Sequence, residues 1–133
     1  MSKERSGKKV SGAKHGAVLA KQMKDPEFRY HYLQRNFVHE VAVAVRAMRK
    51  QAGMTQAQLA GEVGVSQPMI AKIEKGIEQR APNWEMLGKV CIALGKQMRL
   101  SFRDAEEEAE THLVEVDGQP ASAFEAADGA EAH

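Results

Sequence analysis

Apolar residues recur at helical spacing from Phe28 to Leu94, switch to alternation just beyond, and thin out toward both ends of the chain. Leu33, Phe37, Val41, Val45 and Met48 are three or four residues apart, which marks one face of a helix. Asp25-Pro26-Glu27 suits a helix start: Asp caps, Pro fits the first turn, and Glu complements the positive end. Gly53 stops the pattern, so a long helix is predicted from residue 25 to about residue 52. Its first half holds Phe28, Tyr30, Tyr32 and Phe37, most of the chain's aromatic residues. Such an end covers the domain's own core, pairs with a second copy or docks another protein.

Two shorter helices follow. Thr55 caps the first, and Gln58 three residues on completes a capping box. Leu59, Ala60 and Val63 form its inward stripe, and Gly64 takes the reversal. Ser66 caps the second, in which Ile70 and Ile73 face inward, and Gly76 ends it. Two short helices around a tight glycine turn predict a helix-turn-helix. Asn83 caps a further helix with Trp84, Leu87, Val90, Cys91 and Leu94 inward and Gly95 as its stop. From Lys96 to Arg103 the period changes: Met98, Leu100 and Phe102 alternate with Gln97, Arg99 and Ser101. That predicts a strand, and a strand's backbone groups need a partner. His112 to Val116 alternates less regularly, so the same strand from a second copy is the simpler partner. Met98, Leu100 and Phe102 are then the dimerisation residues.

The net charge of +1 conceals a division into three parts. Residues 1–24 carry seven Lys/Arg and one Glu, residues 25–103 twelve and seven acids, and residues 104–133 ten acids and no Lys/Arg. The expected organisation is a disordered basic arm over 1–24, a folded domain over 25–103 and a disordered acidic tail over 104–133. A basic body suits a polyanionic partner, and the arm either adds phosphate contacts or solvates the chain. The lone cysteine, Cys91, excludes a disulfide within the chain and lies on an inward stripe, as a core residue does. There is no signal-peptide run and no stretch of about 18 apolar residues, which predicts a cytoplasmic protein without a membrane segment. The five histidines are dispersed, and His31 and His39 stand two turns apart on one helix, too far to share a metal. With no phosphate-cradling glycine loop either, the sequence argues against an enzyme and implies no metal or cofactor.

Thr55-Gln56-Ala57-Gln58-Leu59-Ala60, Gly64-Val65-Ser66, Ile70 and Ile73-Glu74-Lys75-Gly76 together resemble the lambda Cro and phage-repressor helix-turn-helix family, often called XRE. The likeness runs from Arg46 to Gly95. It implies an all-α, lambda-repressor-like bundle of four to five helices, here with a long N-terminal helix and a short C-terminal strand pairing in a dimer. It implies a sequence-specific DNA-binding regulator, a repressor reading a palindromic operator with the helix over 66–75. Gln56 then opens the first motif helix, contacts phosphate and braces the reading residue. Gln67, next to the capping Ser66, pairs with adenine N6 and N7. Pro68 departs from the polar residue often found there, and it and Met69 suit a thymine methyl. Lys72 reaches guanine or phosphate, and Lys75 and Arg80 meet phosphate. Arg49 and Glu74 occupy positions of an internal ion pair.

The flanks, with Asp25-Pro26-Glu27-Phe28, the long lead-in helix and the strand after Gly95, resemble HigA- and HipB-type antitoxins. That likeness implies a homodimer that also binds a toxin, a RelE-like RNase or a kinase. The alternatives are a phage-type or housekeeping repressor without a toxin, and a protein-interaction module that no longer binds DNA.

Overall fold

The computed structural model describes residues 16–76, 82–102, 104 and 114–125. The chain divides into two compact units, Met1–Gln34 and Arg35–His133, with the boundary inside the longest helix. In the first unit residues 16–22 are helical, where the polar composition predicts an arm without regular structure. The start of α1 (Pro26–Gln51) carries Phe28 stacked on Tyr32, ring centroids 6.1 Å apart. Asp25 Oδ1 accepts the Glu27 N–H there, the N-terminal bond its sequence position predicts.

The second unit holds the rest of α1, α2 (Gln56–Val63), α3 (Gln67–Lys75), α4 (Trp84–Ala93) and a small hairpin, β1 (Glu115–Val116) with β2 (Gln119–Pro120), followed by a 3-10 turn over Ala121–Phe124. Local chemistry sets the helix ends. Thr55 Oγ1 accepts from Gln58 N while Gln58 Oε1 accepts from Thr55 N, a complete capping box. Ser66 and Asn83 each accept from the N–H three residues on. Gly64 and Gly76 close α2 and α3 in the left-handed conformation, at φ +85° and +64°.

The core between the helices is Val41, Val45, Leu59, Ala60, Val63, Ile70, Val90 and Leu94, with Ile73, Met48 and Leu87 at its margin. Four expected inward residues, Leu33, Phe37, Trp84 and Cys91, lie outside that cluster. Leu33 and Cys91 are only partly buried. Phe37 is exposed and Val38 is buried in its stead. Steps of four residues overshoot a 3.6-residue turn by about 40° each, so a stripe counted back from Val45 leaves the core face by Phe37. Trp84 is 61% exposed. Steps of three lag by about 60° each, and two of them from Val90 carry Trp84 out to solvent.

The expected strand over Lys96–Arg103 is corrected too. Residues 96–102 take no regular secondary structure within the chain, Arg103 lies outside the described residues, and the strands form further on, inside the acidic tail. Asp117 and Gly118 both have positive φ, at 51° and 79°, as a two-residue hairpin turn of the type I′ class requires. Val116, Ala121, Val114 and Phe124 then pack on Ala44, Val43 and Met48 of α1. Lys96 Nζ meets Asp117 Oδ2 in the hairpin turn at 2.7 Å, and the His39 ring of α1 pairs with the Glu125 carboxylate just after the 3-10 turn.

Candidate nucleic-acid interface

α3 carries three charged side chains, and burial separates them by sign. Glu74 is buried, 2% exposed, whereas Lys72 and Lys75 are exposed. Ser66, Gln67, Pro68 and Met69 are exposed at the start of the same helix. The outer face of α3 therefore presents an amide, an apolar step and two cations, with its acid withdrawn.

A buried carboxylate needs partners. Arg49 of α1 supplies a two-pronged bond, Nε to Glu74 Oε2 at 2.6 Å and Nη2 to Oε1 at 2.9 Å. This is the ion pair implied by the resemblance to phage repressors. Arg49 Nη1 also reaches the Met54 carbonyl at 2.8 Å, tying the turn before α2 to the same guanidinium. Arg46 donates to the Glu74 carbonyl at 2.7 Å, next to the C-terminal end of α3 where a cation is favourable. Arg46 was not among the sequence-predicted residues. It stands three positions before Arg49, so both arginines share a helix face, and that spacing is the signal.

The network continues outward. Gln56 Nε2 donates to Glu74 Oε1 at 3.2 Å, and Gln56 Oε1 accepts from Gln67 Nε2 at 2.7 Å. The first residues of α2 and α3 are thus joined through side chains, with Gln67 at the exposed end of a chain that starts on a buried charge. The bracing of Gln67 by Gln56 that the resemblance implies is present as a hydrogen bond. The structure so brings together Gln56, Ser66, Gln67, Pro68, Met69, Lys72 and Lys75. Arg80 lies outside the described residues. Of the predicted dimerisation residues, Leu100 and Phe102 are exposed, Phe102 at 89%, and Met98 is partly buried. Cys91 is partly buried, and burial pushes its thiol up from the ordinary value, away from the thiolate a nucleophile needs. No described helix is long and apolar enough to cross a membrane.

Two short helices around a glycine turn, seated on a longer helix with the second helix's polar face outward, define a helix-turn-helix domain. Residues 45–100 match the HTH_3 family model, described as helix-turn-helix. A relative from Haemophilus influenzae named "uncharacterized HTH-type transcriptional regulator" is 48% identical over 52 residues, which covers 39% of this chain and 51% of the relative. The chain thus matches about half the length of that curated relative.

Proposed function

We propose that this chain is a transcriptional regulator that binds double-stranded DNA in a sequence-specific way, with α3 in the major groove, and represses by occupying an operator. The observation that carries the reading is the outward face of α3, Gln67-Pro68-Met69 followed by Lys72 and Lys75, with its only acid buried against Arg49. A groove lined by phosphates favours that sign of charge. Gln67, with one N–H given to Gln56, keeps its second N–H and its carbonyl for N7 and N6 of an adenine. Pro68 and Met69 suit a thymine methyl. Lys72 serves guanine or phosphate, and Lys75 and Arg80 serve phosphate, which sets register and salt dependence but not sequence. Ser66 and Gln56, at the starts of two helices, lie where N–H groups favour a phosphate.

The regulator acts as a homodimer in the cytoplasm. Leu100 and Phe102 are apolar and exposed, which supports burial against a second copy together with Met98. Two α3 helices about 34 Å apart would meet a palindromic site one turn in span. No step requires a metal or a cofactor.

A second reading adds a protein partner. Tyr30, 63% exposed near the start of α1, supports a docking surface there. An antitoxin would use it to hold a toxin such as an RNase or a kinase, while a plain repressor would leave it unused. Co-purification with the product of the adjacent reading frame separates these two.

The test of DNA binding is a mobility shift on a duplex taken from the chain's own upstream region, at two salt concentrations. The reading expects a retained complex over excess random duplex, weakened steeply by salt. Equal binding to both duplexes at both salt concentrations would contradict it.

A further inference from the structure

The hydrogen-bond chain that ends at Gln67 has a direction, and that direction is set at its buried end. A carboxylate only accepts hydrogen bonds, so Glu74 fixes which end of the Gln56 amide turns toward it: the NH2 group. The Gln56 carbonyl is then forced outward, where it needs a donor. Gln67 provides one by turning its own NH2 inward, at 2.7 Å. The opposite orientation of Gln67 would set two carbonyl oxygens against each other. An amide's two ends are nearly the same shape, so packing alone does not distinguish them. The distinction comes from a charge at the far end of α3, seven residues from Gln67 in sequence.

We infer that Glu74, held by Arg49 and acting through Gln56, is a positioning residue for sequence readout: it fixes the donor–acceptor order that Gln67 offers to a base. This rests on the DNA-binding reading above and deepens it. With the order fixed, Gln67 presents one N–H and one carbonyl side by side, the complement of adenine's N7 acceptor and N6 donor. With the order free, Gln67 turns over between two states, only one of which matches adenine, and discrimination falls while general attraction to phosphate is kept. Arg49 belongs to the device because it holds both Glu74 oxygens in place.

The test uses the full chain and duplexes enriched by the wild type from a randomised pool. At each enriched adenine, binding is compared with the same duplex carrying 7-deazaadenine, which lacks the N7 acceptor. In the wild type one such adenine should show a penalty on the order of tenfold, the size of a lost two-point base contact. In Glu74→Gln, whose amide can offer either end to Gln56, that penalty should fall to about threefold or less, while affinity for random duplex stays within about twofold. Gln56→Met cuts the chain but leaves Arg49–Glu74 intact, and the same fall is expected. It decides the question on its own if Glu74→Gln does not fold. An undiminished penalty in the folded variants overturns the inference. A wild type that enriches no sequence overturns the DNA-binding reading itself.

Discussion

Glu74 combines near-complete burial with a charge, so its removal is costly. Glu74→Ala strands Arg49 against a cavity and leaves Gln56 without its acceptor. The expected loss is about 3–5 kcal/mol, since one member of a buried pair is left uncompensated. A urea titration with circular dichroism measures it, and a loss under about 1 kcal/mol would mean the pair behaves as a surface contact. Residue roles of this kind were partly legible in sequence. The caps at Thr55, Ser66 and Asn83 could be read directly, because a cap depends only on the residue and the N–H two or three positions on. Phe37 and Trp84 could not be assigned correctly by counting threes and fours. Each step misses the true turn by tens of degrees, and the error accumulates with distance from the residue that anchors the stripe.

Among the elements, α3 depends on how its end meets α1. Gly76 stands at φ +64°, and a Cβ there would lie 2.9 Å from the Ala42 Cβ. Gly64, at φ +85°, has open space around it. Both glycines avoid the left-handed strain of about 1–2 kcal/mol, but only Gly76 also permits close approach. Gly76→Ala is therefore expected to lower the thermal midpoint clearly more than Gly64→Ala does. Equal shifts would mean that α3 is not seated against Ala42. The glycine stops themselves were visible in sequence, and the contact that makes one of them indispensable was not, since Ala42 lies far away along the chain. The hairpin gives the opposite case. Asp117-Gly118 is a strong local turn signal, with an alternating apolar segment just before it. Acidic composition around the pair hides it, and a strand of two residues is too short for alternation to register.

At the scale of the whole molecule, the folded part of the second unit extends past the helix-turn-helix match. That match ends at residue 100, whereas Val116 and Ala121 are buried against α1. Deleting residues 114–133 exposes Val43, Ala44 and Met48, and the loss of one buried valine alone is worth about 1.5–3 kcal/mol. The shortened chain should keep its helical circular dichroism and unfold at lower urea. An unchanged midpoint would show that the hairpin contributes nothing to stability. Charge division was legible from the outset, because it requires only counting. That part of the acidic end folds back on the domain was not, because the signal lies in a few apolar residues among many acids.

On the proposed function, α3 reads bases through Gln67 while its lysines hold phosphates. Enrichment from a randomised duplex pool, followed by titration of the wild type, Gln67→Ala and Lys75→Ala on enriched and random duplexes, tests it most directly. Gln67→Ala should lose on the order of tenfold on the enriched duplex and little on random DNA. Lys75→Ala should weaken both alike and reduce the salt slope by about one. Equal losses on both duplexes for Gln67→Ala would contradict it.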